Sequence, residues 1–219
     1  MDKQVNKNKK NYAWLLESSA IIPDVIEWVK NNIKYIDNNF EFIFTHDERL
    51  LNLSDKFKFV IPNAVPWVED VGVHSKTKLI SMIASNKRMC SGHNYRQEII
   101  QKYKNKLDHY GMGFSPLQKK EDGLKDYMFS IAMENDNYPN IFCEKITDCF
   151  AMGTIPIFWG SPHIGKLYNE DGIIKLEELN IDEITPELYY SKLDAIKDNY
   201  ERSLAIPTAE DYFFKEYIK

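Results

Sequence analysis

The stretch Tyr127–Pro162 reads YMFSIAMENDNYPNIFCEKITDCFAMGTIPIFWGSP. Its first part, Tyr127 to Met133, is mostly apolar, and a polar, turn-rich segment runs from Asn135 to Asn140. A helical pattern then begins at Glu144-Lys145 and leads into Gly153-Thr-Ile-Pro-Ile-Phe-Trp-Gly160. That order predicts strand, loop, helix, strand. In α/β sheets ligands bind beyond the carboxyl ends of the strands, so Glu134, Asn135, Glu144 and Lys145 fall where phosphates are commonly held. The first turn of such a helix offers N–H groups and a positive dipole end to a diphosphate, with Lys145 beside it. Glu134 or Glu144 would accept hydrogen bonds from sugar hydroxyls. The same pattern also accommodates a surface loop and a helix whose Glu144 merely suits the dipole.

Upstream, Tyr12 to Leu16 reads as a short buried strand ending at Glu17-Ser18-Ser19. Val25, Ile26, Val29, Ile33 and Ile36 recur at helical spacing behind Pro23, which fits a first turn. Phe42–Phe44 and Phe57–Ile61 are two further apolar runs. A polar stretch from Glu69 to Lys78 precedes a fourth run, Leu79 to Ala84, which ends in Ser85-Asn86. The boundary between two domains is placed there, giving residues 1–75 and 76–219. Tyr95, Ile99, Ile100, Tyr103 and Leu107 mark another helix, with Arg96 in its first turn. A cation there opposes the dipole by several tenths of a kcal/mol unless an anion is near, which makes Arg96 a second phosphate candidate; a surface arginine reaching Glu98 is the plainer reading. Asp108 to Gly113 closes that helix, Lys119 to Lys125 is a charged surface loop, Ile173–Leu176 makes a last short strand, and two helices follow from Pro186 and Asp211. Alternating strands and helices imply an α/β protein with parallel sheets.

Composition bounds the function. With 28 Lys and Arg against 33 Asp and Glu, the net charge of −5 opposes a broad grip on nucleic acid, so any anion site is local. The three cysteines, Cys90, Cys143 and Cys149, cannot all pair and show no CxxC spacing, which favours a reducing compartment. No signal-like or membrane-spanning apolar run occurs, so a cytoplasmic protein is expected; peripheral association with a membrane and homo-oligomerisation are left open. The histidines His46, His74, His93, His109 and His163 are scattered without metal-ligand spacing, and Thr45-His46-Asp47 is no DxD. No P-loop, GxGxxG or GxSxG is present.

The segment MENDNYPNIFCEKITDCFAMGTIPIFWGSP closely resembles the signature of the α1,3/α1,4-fucosyltransferases, glycosyltransferase family 10. Ser85-Asn86 followed by Arg96, and Trp14-Leu-Leu-Glu17-Ser-Ser19, are similar to two further elements of that family. The resemblance implies a GT-B-like fold, two Rossmann-like domains facing a cleft, with the N-terminal one abbreviated because only a dozen residues precede its glutamate element. It implies transfer of L-fucose from GDP-fucose to a glycan hydroxyl with inversion, with no metal and no cofactor. On this pattern Arg96 and Lys145 would bind the diphosphate, Asn135 and Glu144 would contact nucleotide or fucose, Glu134 would help to hold the sugar, and Glu17 would be the general base. Cys143 stands where the family usually has Thr or Ser, and Ile141 where an aromatic is common, which takes a stacking surface from the donor. A non-catalytic GDP-sugar-binding module and a GT-B transferase using another nucleotide sugar are the alternatives.

Overall fold

The computed structural model describes residues 5–62 and 64–218. Two parallel sheets share the chain. The first has the order β1-β2-β3, from Tyr12–Leu15, Phe42–Thr45 and Phe57–Phe59. Helices α1 (Pro23–Asn31) and α2 (Ile33–Asn39) link β1 to β2, and a single turn, α3 (Glu48–Leu51), leads toward β3. The sequence pattern predicted one helix from Pro23 past Ile36. Asn32 divides it: its side chain donates to the Trp28 carbonyl at 2.7 Å, a local bond that competes with the helical ladder.

The second sheet has the order β5-β4-β6-β7-β8, parallel throughout, from β4 (Lys78–Ile83), β5 (Asp108–Tyr110), β6 (Tyr127–Met133), β7 (Ile155–Trp159) and β8 (Ile174–Lys175). Helix α4 (Ser91–Tyr103) joins β4 to β5, and α5 (Glu144–Ala151) joins β6 to β7. Every residue of β6 is buried, as a central strand covered on both faces requires, and this is why its sequence is a continuous apolar run without alternation. On one face Ile80, Met82, Phe129 and Ile131 pack with Ile99 and Tyr103 of α4. On the other, Ala132 and Phe158 meet Ile146 and Phe150 of α5. Because the chain leaves β4 for β5 on one side and returns to β6 on the other, the β4/β6 pair forms the switch point where such sheets bind ligands.

Several expectations change. The Asp108–Gly113 segment contains strand β5, too short and mixed in polarity to show a period. The polar stretch after Glu69 is not all solvated: Lys76 is buried, its ammonium donating to Met152 O at 2.7 Å, Lys125 O at 3.0 Å and Thr154 Oγ1 at 3.0 Å. Burial pulls its pKa down to about 7. After α6 (Pro186–Ser191) and α7 (Leu193–Ala205), the chain returns to the other unit. Helix α8 (Ala209–Phe213) and the turn Phe214–Ile218, assigned by sequence to the 76–219 unit, pack on the first sheet, where Phe213 stacks on Phe44 at 4.3 Å between ring centroids. The aromatic faces of Phe42 and Phe44 require a cover that the first unit's own helices, packed on the opposite core, do not provide.

Candidate functional site

A cleft of about 680 Å³ opens between the ends of the two sheets, and Glu17, Arg96, Glu134, Asn135, Glu144 and Lys145 all line it. Those residues come from β1's exit, α4, β6's exit and the start of α5, elements up to 128 positions apart between Glu17 and Lys145.

Arg96 is 5% exposed. Its Nη2 donates to Met133 O at 2.9 Å, Glu134 O at 3.1 Å and Asn135 Oδ1 at 3.2 Å, so it is no surface arginine. It also sits in the second turn rather than the first, because α4 begins at Ser91 with a polar turn that carries no apolar period. The dipole argument for this residue therefore falls; burial beside the end of β6 is what demands an explanation. Burial lowers the guanidinium pKa, an effect opposed by Glu134. Its Nε and Nη1 donors make no hydrogen bond among the described residues, which leaves one edge of the fork for a ligand. Gly92 permits this packing: a Cβ there would lie 2.2 Å from Asn135 O.

Glu134 is 2% exposed and joins the start of α5. Its carboxylate accepts the Cys143 backbone N–H at 2.9 Å and the Lys145 ammonium at 3.0 Å. The N–H it takes belongs to Cys143, the residue that caps α5, and not to the helix's first turn from Glu144. Cys143 occupies the middle of the pair, its thiol donating to Glu134 Oε2 at 2.9 Å and accepting from Lys145 Nζ at 2.7 Å. Burial and the charge of Glu134 push the thiol pKa well up, so it stays protonated. For Lys145, burial disfavours the ammonium, but Glu134, Cys143 and Glu144 outweigh it and raise the pKa. The site thus holds a permanent cation with one donor unused.

Glu144 lies 3.3 Å from Lys120, whose ammonium also reaches the fully buried Asp148 at 2.5 Å. Burial raises the Glu144 pKa, and Lys145 and Lys120 more than reverse this, keeping it a carboxylate. Lys120 was read from sequence as part of a surface loop. Its side chain is instead 25% exposed, and it lines the cleft together with Trp67, whose ring centroid is 5.1 Å from its ammonium. No sequence signal pointed to either residue, because their neighbours arrive from distant segments.

The opposite wall differs. Glu17 is exposed, and its carboxylate has no hydrogen-bond or ion-pair partner among the described residues. Beside it, Ser18 and His46 also line the cleft and are buried, yet Ser18 Oγ and His46 Nδ1 have no hydrogen-bond partner among the described residues. Burial lowers the His46 pKa, so its imidazole is neutral near pH 7. Asp47 beyond it is bound by Arg49, which also lies 4.3 Å over the Tyr138 ring and so links the two units across the cleft. Among the described residues no three or more His, Cys, Asp or Glu side chains gather in a metal-ligating group, and no helix is long and apolar enough to cross a membrane.

Comparison with known proteins fits this geometry. An α-(1,3)-fucosyltransferase FucT of Helicobacter pylori is 29% identical over 106 residues, covering 45% of this chain and 22% of that protein. The chain thus spans about a fifth of the length of that curated relative. A solved α1,3-fucosyltransferase with GDP-fucose superposes with a TM-score of 0.56 at 18% identity, over 93% of this chain and 69% of that one. Another, with GDP, gives 0.56 at 17% identity over 97% and 77%. At such identities the likeness establishes the fold, which is the GT-B type. The model of the glycosyltransferase family 10 (fucosyltransferase) C-terminal region matches residues 73–204, the greater part of the sequence and all of the wall built by α4 and α5, and the chain belongs to that family.

Proposed function

We propose that the chain transfers L-fucose from GDP-fucose to a hydroxyl of a glycan, with inversion at the anomeric carbon and without a metal. One observation carries this reading: the buried Arg96 and the half-buried Lys145, two cations with unused donors, line a single cleft with Glu17, a carboxylate that has no partner among the described residues. Family membership and the GDP-fucose named for the solved relative support the donor.

The chemistry follows from charge. As the bond between the sugar and the diphosphate breaks, its electron pair goes to the leaving GDP, and the ring carbon becomes electron-poor. Cations fixed beforehand at the diphosphate lower that barrier without reorganising; a single such group is worth about 100- to 1,000-fold in rate. Arg96 and Lys145 fill that role, Glu144 and Asn135 contact nucleotide or sugar, and Glu134 holds Lys145 in place while facing the fucose. The acceptor oxygen attacks from the opposite face and loses its proton to Glu17, a general base free of competing bonds.

The test is turnover of GDP-fucose by the purified chain with N-acetyllactosamine, read as GDP release and as fucosylated product, with EDTA present and absent. Transfer that survives EDTA is expected. GDP binding with no transfer to any β-galactoside or N-acetylglucosamine acceptor would instead mark a GDP-sugar-binding module. Preference for a different nucleotide sugar in thermal-shift measurements would reassign the donor.

A further inference from the structure

Trp67 is 63% exposed, lines the cleft, and yet is held in place. Its backbone N–H donates to Asp148 Oδ1 at 2.6 Å, and Asp148 is fully buried in α5. Lys120, which also meets Glu144 and Asp148, sits over its ring at 5.1 Å from the centroid. An indole on the lining of a cleft presents a large π face and a polar edge to whatever enters, which is why tryptophan is enriched where proteins meet their ligands and partners. Among the described residues Trp67 is held by Asp148 of α5 and by Lys120, which is itself paired with Glu144 and Asp148 of that helix.

We propose that Trp67 is the stacking platform for the purine base of the donor nucleotide, with Lys120 fixing the indole's position. This rests on the functional reading above and adds to it a base subsite built by the segment between the two sheets. A nucleoside diphosphate sugar has two ring ends. The pyranose must approach Glu17, where the acceptor is deprotonated. The planar base is the end left for an aromatic surface tied to the α5 wall, and base–aromatic stacking needs only two exposed π faces.

The experiment compares the unsubstituted chain with Trp67→Ala and Trp67→Phe, titrated with GDP, GDP-fucose and inorganic pyrophosphate by calorimetry and tryptophan fluorescence. Three other tryptophans, Trp14, Trp28 and Trp159, contribute to emission, so the Trp67→Phe spectrum serves as background. The indole can be removed without loss of the Asp148 anchor, because that bond uses the backbone. The proposal expects GDP to quench the Trp67 component and pyrophosphate not to. It also expects Trp67→Ala to weaken GDP and GDP-fucose alike by about tenfold or more, with pyrophosphate unchanged and Trp67→Phe largely restoring affinity. Equal GDP affinity in wild type and Trp67→Ala overturns it. So does a loss confined to GDP-fucose, which would place the pyranose on the ring. Failure of wild type itself to bind GDP defeats the functional reading instead, and this proposal with it.

Discussion

The two walls of the cleft are built on opposite terms. On the α4/α5 side, Arg96, Glu134, Cys143 and Lys145 are bound to one another and to the ends of β6, so their charges are oriented before any ligand arrives. On the β1/β2 side, Glu17 is exposed, and among the described residues its carboxylate, Ser18 Oγ and His46 Nδ1 have no hydrogen-bond partner. On the proposed reading the leaving group always presents the same diphosphate, so rigid complementarity suits that wall. A base must collect a proton from an incoming hydroxyl, and a carboxylate already engaged in internal bonds would be a weaker base. The difference implies that substitutions on the first wall damage fold and function together, whereas those on the second damage function alone.

Arg96→Ala and Lys145→Ala break that comparison most severely. Each should abolish measurable transfer, and each should lower stability by about 1–3 kcal/mol, since Arg96→Ala strands two buried carbonyls and the half-buried Asn135 amide oxygen, and Lys145→Ala leaves the Glu134 carboxylate without its ammonium partner. Denaturant unfolding alongside turnover checks both parts. Glu17→Gln comes next: a rate lower by about 100- to 10,000-fold, with melting temperature and GDP affinity unchanged. If Glu17→Gln turned over normally, the general base would lie elsewhere, and the neutral His46 on the same wall would be the next residue to substitute.

A smaller effect comes from the outer side of the first sheet. Phe213→Ala removes the ring stacked on Phe44 and should cost about 2 kcal/mol by chemical denaturation. GDP affinity should hold, because Phe213 packs on the first sheet and is not part of the cleft lining. The smallest effect is a pH dependence. Burial lowers the pKa of His46, His93 and His109 below the ordinary 6.5. Between 6.5 and those lower values the unfolded chain binds more protons than the folded one, so stability falls on acidification below about pH 6.5. Melting temperatures from pH 7.5 to 5 should decline, and less steeply in His46→Gln.

Much of the fold was legible because its signals are local. Strand β6 is a run of buried residues, α5 follows a turn-rich loop, and the parallel β-α-β order places their junction at a carboxyl edge, so Glu134, Asn135, Glu144 and Lys145 could be named from one continuous segment. One of the two arguments for Arg96 did not hold, since its helix starts earlier; the resemblance of Ser85-Asn86 and Arg96 to a family element remains, and the contacts of Arg96 with the end of β6 are foretold by no helical position. Lys120 and Trp67 were missed. Each looks like an ordinary loop residue until Asp148 draws both to α5, across 28 and 81 positions of chain. The split at Asn32 and the strand β5 were lost because a single side-chain bond and a three-residue strand leave no period to read.

The sequence by itself determined the parallel α/β plan, the chemistry of the segment between Tyr127 and Pro162, and the family resemblance, since periodicity and motif spacing are properties of neighbours along the chain. Tertiary structure alone decided that Glu17 faces Arg96 and Lys145 across one cleft, that Glu134 is spent on Lys145 and the start of α5, and that the final helix covers the first sheet. Those outcomes depend on which apolar faces find a complementary surface and which buried charges find a counter-charge, and both are settled between segments that meet only when the chain is folded.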